Sequence, residues 1–154
     1  MNKLGIFGGN KTIREKVKIH NSIGKEEVNI VNRVMKTGKL SAFYGTWGKG
    51  FYGGKYVQKF EKSCIRYFKT KYAISVNSWT SGLIAAVGAL DINPGDEIIV
   101  SPWSMCASAT SILHWNAIPI FADIDKDTFN LNPKDVEKKI TKRTKAIIPV
   151  DIFG

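Results

Sequence analysis

The residues of this chain best suited to chemistry are hydroxyls gathered in one short run, Ser75-Val76-Asn77-Ser78-Trp79-Thr80-Ser81-Gly82. The run lies where an apolar stretch, Tyr72–Val76, gives way to small and apolar residues reaching Leu90, a pattern predicting a strand that passes into a helix. At such a junction the first backbone N–H groups of the helix lack acceptors, and the positive end of the helix dipole adds to their pull on an anion. Ser78, Thr80 and Ser81 contribute further donors. The same residue types also suit a helix N-cap that holds no ligand, and local chemistry leaves both roles open. At this junction there is neither G-x-G-x-x-G nor a Walker lysine, which weakens both the dinucleotide and the nucleoside-triphosphate readings.

A second run, Ser101-Pro102-Trp103-Ser104-Met105-Cys106-Ala107-Ser108-Ala109, follows the buried-type strand Ile98-Ile99-Val100. Ligands of open α/β sheets collect beyond the carboxyl ends of the strands, so Trp103 and Met105 are placed to reach a bound ring, with ordinary packing as the alternative for each. Cys106 has no base near it in sequence and reads as a buried structural thiol. His20 and His114 are far apart and read as solvated or packed rather than as metal ligands. Asp123, Asp125 and Asp127 alternate like the start of a calcium loop, but the required Gly and Glu are missing, so a polar turn is expected and no metal site.

These runs need elements to hold them. Val28, Ile30, Val31, Val34 and Met35 predict an amphipathic helix over 25–37, stopped by Gly38. Six glycines between Gly38 and Gly54 alternate with Phe43, Tyr44, Trp47, Phe51 and Tyr52, which predicts a mobile, sticky loop that either packs on itself or meets a ligand or partner. Helical spacing resumes over 56–68. Beyond Tyr72 the pattern alternates: a strand over 72–76, a helix to Leu90, a turn at Asn93-Pro94-Gly95-Asp96, a strand over 97–101 and a helix over 106–114. A strand over 118–123, a helix opened by Asn132-Pro133 and a strand over 146–150 complete it. Strands alternating with helices imply a mostly parallel sheet with flanking helices, an α/β fold.

With 154 residues, 44% apolar and 23% charged, the chain is too apolar for intrinsic disorder and long enough for one domain or part of one. Its net charge of +10 is uneven: residues 1–72 hold 16 basic and 4 acidic side chains, residues 73–154 hold 7 and 9, and 11 of the 17 aromatics lie in the basic part. Two cysteines, Cys64 and Cys106, make a disulfide framework or structural zinc improbable. The first ten residues lack the apolar run of a signal peptide and no stretch approaches a membrane span, so a cytoplasmic setting is expected.

Four stretches together resemble the amino-terminal part of the DegT/DnrJ/StrS family of pyridoxal-phosphate (PLP)-dependent sugar aminotransferases. They are Gly53-Gly54-Lys55-Tyr56-Val57-Gln58-Lys59-Phe60-Glu61, Val76-Asn77-Ser78-Trp79-Thr80-Ser81-Gly82-Leu83, Asn93-Pro94-Gly95-Asp96-Glu97-Ile98-Ile99-Val100 and Thr141 through Gly154. The resemblance runs from about Lys25 to the last residue and implies an incomplete large domain of the fold-type I PLP-dependent transferase (aspartate aminotransferase-like) fold. It implies that Trp79, Thr80 and Ser81, with Ser78 leading in, hold the cofactor phosphate, and that Met105 lies against the pyridine ring with Trp103 sharing the contact. Met105 departs from the aromatic that many relatives have there, and Trp79 from a small residue. The family's cofactor-bearing lysine and pyridinium-binding aspartate fall beyond the segment matching Asp151–Gly154, so no catalytic residue is assigned.

The first residues mix Gly, Asn and Lys with single hydrophobes and read as a surface arm over 1–24; the resemblance further implies a helical and Gly/aromatic region over 25–71 and a truncated PLP-binding domain over 72–154. Its substrates would be a nucleotide-linked keto sugar and an amino-acid donor, and its assembly a homodimer. The chain is expected to be the front portion of such an enzyme and inactive alone. The alternatives are a non-catalytic remnant of a disrupted gene and, on the basic aromatic half, a nucleic-acid-binding module. A first strand without its neighbour and an open sheet edge predict marginal stability and association.

Overall fold

A computed structural model describes residues 3–11, 13, 15, 16 and 18–154. Met1, Asn2, Thr12, Arg14 and Val17, all within the expected arm, lie outside the described residues. The chain forms two compact units, Met1–Ser63 and Cys64–Gly154.

In the first unit the only regular feature of the arm among its described residues is a 3-10 turn at Gly5–Phe7. Helix α1 is Lys25–Lys36. Glu27 Oε2 accepts from the Gly24 N–H at 2.7 Å, the return half of a capping box, and Gly38 ends the helix at φ 64°. Its apolar stripe is genuine but exposed at Val28, Val31 and Met35. The Gly/aromatic loop packs upon itself. Trp47 stacks on Phe51 with centroids 4.1 Å apart, Phe51 meets Tyr52 edge-on, and the Phe43 N–H donates to the Gly50 carbonyl at 2.6 Å. Gly53 is required there: its φ is 83°, and a Cβ would come within 2.6 Å of the Phe43 ring. Helix α2, Lys55–Phe68, begins after this loop, with Gln58 Nε2 donating to the Gly53 carbonyl at 2.8 Å.

In the second unit the elements are α3 (Trp79–Gly88), β1 (Glu97–Val100), α4 (Ala107–Leu113), β2 (Ile118–Phe121), α5 (Pro133–Lys139) and β3 (Thr144–Ile148). The sheet is parallel throughout, in the order β2-β1-β3. Central β1 is buried along its whole length, which is why its sequence is a continuous apolar run after Glu97. Ile98 and Val100 pack with Val87, Ile92, Ile112 and Ala117 on the face covered by α3 and α4. Ile99 points to the opposite face, the side of Ile147 and α5. There an open apolar groove of about 420 Å³ runs between Leu131, Pro133, Val136, Ile140, Ile147 and Pro149.

Two features pin the sheet. Buried Glu97 receives the Thr141 hydroxyl at 2.5 Å and Arg143 Nε at 2.9 Å, and these bonds hold its carboxyl below the usual carboxylate range. The outer edge of β2 is blunted: Ile118 and Ala122 donate inward, so Pro119, which has no N–H, faces outward, and the Phe121 carbonyl accepts from Lys139 Nζ at 2.6 Å.

One expected element does not form. Tyr72–Val76 forms no regular element and joins no sheet among the described residues, and its Tyr72 and Ile74 are exposed. Strand propensity alone does not make a strand; a ladder partner is required. The last strand also ends at Ile148 rather than Val150, because Pro149 cannot donate to a ladder.

Candidate functional site

α3 opens at Ser78, whose backbone is extended (φ −156°, ψ 159°) and whose Oγ accepts from the Ser81 N–H at 3.2 Å. The capping role weighed for these residues is therefore realised, by Ser78 and Ser81. It leaves something over: the first intrahelical bond is Gly82 N–H to the Ser78 carbonyl, so the amides of Trp79 and Thr80 have no acceptor within the helix. With the Thr80 hydroxyl they leave a short row of donors at the positive end of a ten-residue helix, chemistry that suits an anion. Trp79 is largely exposed and folds over Gly82, where a Cβ would lie 2.9 Å from the indole.

The second run forms the loop between β1 and α4. Ser101 Oγ accepts from the Trp103 N–H at 3.2 Å, and the Ser104 and Ser108 hydroxyls bond at 2.8 Å, tying the loop to α4. Trp103 is half exposed and Met105 is 76% exposed, so neither is a core residue. The expectation for Cys106 fails: it is exposed, because it occupies the position before α4 while Ser108, Ser111 and Ile112 form the buried side of that helix.

The topology brings the two runs to one side. Trp115, just past the end of α4, donates from Nε1 to the Ile84 carbonyl at 2.8 Å and lies against Gly88, so the C-terminal ends of α3 and α4 meet. That junction is at the entry side of the sheet, where Ile118 N–H bonds the Asp96 carbonyl. The helix openings, Ser78–Thr80 and the 101–106 loop, accordingly share the carboxyl side of the strands, the usual ligand side of such sheets.

A third participant escaped the sequence reading. Phe129 lies 5.8 Å from Trp103 and 5.5 Å from Phe153, centroid to centroid. It is presented by the aspartate-rich segment, which forms the expected polar turn: Asp125 Oδ1 accepts from the Asp127 and Thr128 N–H groups, both at 3.0 Å. Those bonds, Thr128 first, hold the Asp125 carboxyl below its ordinary range. The Asp-x-Asp-Thr pattern announced the turn; nothing in it announced that Phe129 would turn toward Trp103. His114 packs edge-on against Trp115, 6.0 Å between centroids.

A family model for DegT/DnrJ/EryC1/StrS aminotransferases matches residues 21–154, most of the chain. The chain belongs to this family. It is 41% identical over 132 residues to the spore coat polysaccharide biosynthesis protein SpsC of Bacillus subtilis, covering 86% of this chain and 31% of that protein. It is 43% identical over 101 residues to the GDP-perosamine synthase of Caulobacter vibrioides, covering 66% of this chain and 27% of the synthase. The structure of NtdA from Bacillus subtilis with bound cofactor PMP superposes with a TM-score of 0.73 at 33% identity, over 86% of this chain and 29% of that one. The chain thus spans about a third of the length of the curated relatives it matches, and its fold is an α/β portion of the PLP-dependent aminotransferase fold. Among the described residues no helix is long and apolar enough to cross a membrane.

Proposed function

We propose that this chain is the front portion of a PLP-dependent aminotransferase that moves an amino group from an amino acid to a nucleotide-linked keto sugar, in a cytoplasmic pathway to polysaccharide or a related glycan. The observation that carries the reading is the pair of amides at Trp79 and Thr80 left without an acceptor in the helix, on the same side of the sheet as an exposed Trp103 and Met105. The similarity to a GDP-perosamine synthase supports a nucleotide-sugar substrate. In this reading residues 72–154 are the cofactor-binding part, behind an arm over 1–24 and a helical, Gly/aromatic region over 25–71.

The cofactor, when bound, supplies the electron sink that amino transfer needs. The chain's own residues bind and orient it. The Trp79 and Thr80 amides and the Thr80 and Ser81 hydroxyls take the phosphate. Ser78 fixes the first turn of α3 so that those donors converge. Met105 covers a ring face with a polarizable thioether, and Trp103 shares the contact. No lysine among the 154 residues takes the place of the family's cofactor-bearing lysine, so the chain alone binds without turnover. The basic excess in 1–72 draws in a diphosphate-bearing substrate. The proposal includes a homodimer, with the Gly/aromatic loop contributing at the subunit interface.

Tryptophan fluorescence titrations with PLP and with pyridoxal test this reading. PLP is expected to bind at least about ten-fold more tightly, a difference of about 1.4 kcal/mol, with Thr80→Ala narrowing the gap. Equal affinities would overturn the phosphate assignment. Borohydride reduction is expected to label no single lysine, and one specifically labelled lysine would contradict the lysine argument.

A further inference from the structure

We propose that Phe129 is a positioning residue that holds Trp103 in the orientation needed for its contact with a bound pyridine ring; this rests on the reading of Trp103 given above. Trp103 has little else to fix its ring. It projects from a loop, half exposed, and the hydroxyl bonds in that loop act on its backbone and on Ser104, not on the indole. The indole ring meets Phe129, at 5.8 Å between centroids and 36° between planes. An aromatic pair at that separation lies within the range where rings attract one another beyond their area burial.

Phe129 is itself held in place. Its backbone adopts φ 62°, a conformation that an aromatic residue rarely takes, and the surrounding turn imposes it. The Phe129 N–H donates to the Asp125 carbonyl at 2.9 Å, the Asp125 N–H donates to the Asn130 carbonyl at 2.8 Å, and Ile124 bridges Leu131 in antiparallel fashion. The Asp125 side chain locks the turn from inside. Phe153 also packs against the ring, edge-on at 80°. The result is a rigid support with an aromatic face on the exposed Trp103, on the side of the sheet where the cofactor reading places the ring. A relaxed backbone at 129 would send the side chain elsewhere, so the turn is what delivers the ring to the indole.

The test uses the 154-residue chain labelled with 5-fluorotryptophan, the fluorine line of Trp103 being assigned by Trp103→Phe. Phe129→Leu is expected to move and narrow the Trp103 line while leaving the Trp115 line, which reports on α3 and α4 packing, in place. PLP affinity is expected to fall about three- to ten-fold, and Phe129→Tyr, which keeps the ring, to restore both. Phe129→Met keeps most of the volume without the ring and makes the same comparison should Phe129→Leu lose its fold. If PLP perturbs the Trp103 line in the wild-type chain but neither ring-less variant moves that line or weakens PLP, this inference is wrong and the cofactor reading stands. If PLP leaves the Trp103 line untouched, the ring-contact reading fails and carries this inference with it.

Discussion

At the scale of single residues, Ser78 and Thr80 divide one helix terminus between them. Ser78 serves the fold, and its replacement by Ala should cost about 1 kcal/mol in chemical denaturation, the ordinary worth of an N-cap. Thr80 makes no bond that the helix needs, so Thr80→Ala should stay within about 0.5 kcal/mol of wild type while weakening PLP. A Thr80→Ala chain as destabilised as Ser78→Ala would mean that both hydroxyls are structural. The cap at this terminus was legible in the sequence because a hydroxyl just before an apolar helix is the ordinary N-cap residue. Phe129 was not legible, since its role depends on a positive φ that no local pattern encodes for an aromatic residue. Cys106 was misread because helical spacing does not reveal which side of a short helix faces the core; Ser108, Ser111 and Ile112 decide that.

At the scale of elements, β1 organises the second unit. Ile98 is fully buried between the helices and the sheet, and Ile98→Ala should lower stability by about 2–5 kcal/mol in denaturant titrations. At the start of the same strand, Glu97 links β1 to the Thr141–Arg143 turn. Its folded carboxyl titrates below its ordinary value of 4.5, chiefly through the Thr141 hydroxyl and then Arg143. A carboxylate so held contributes stability that is full above its unfolded value and is lost as the pH falls through the folded one. The melting-temperature gap between wild type and Glu97→Gln should therefore be widest near neutral pH and shrink progressively below about pH 4.5. A gap independent of pH would show that the network does not depend on ionised Glu97. The strands around β1 were readable from their apolar runs and turn residues. Tyr72–Val76 shows the limit of that reading: its alternation is that of a strand, yet ladder pairing is a non-local event, and within the described residues the segment joins no sheet.

At the scale of the whole molecule, the chain carries exposed apolar surface on both units, including Val31 and Met35 of α1, Phe60 of α2 and Ile147 of β3. The sheet is also asymmetric. The outer edge of β2 is blunted by Pro119 and by Lys139 on the Phe121 carbonyl, whereas β3 has no proline within it. Association is therefore expected through the β3 side, and sedimentation should show the 154-residue chain growing in mass with concentration. Ile147→Lys, which places a charge on that exposed strand without entering the core cluster, should reduce the growth. A chain that stays monomeric at high concentration would contradict this.

The most direct measurement of the central claim is the response of individual backbone amides to ligands in a nitrogen–proton correlation spectrum. The Trp79 and Thr80 signals are predicted to shift with PLP, to a smaller extent with inorganic phosphate, and little with pyridoxal. Shifts by PLP that bypass both amides, or that pyridoxal reproduces in full, would contradict the assignment of this helix opening to a cofactor phosphate.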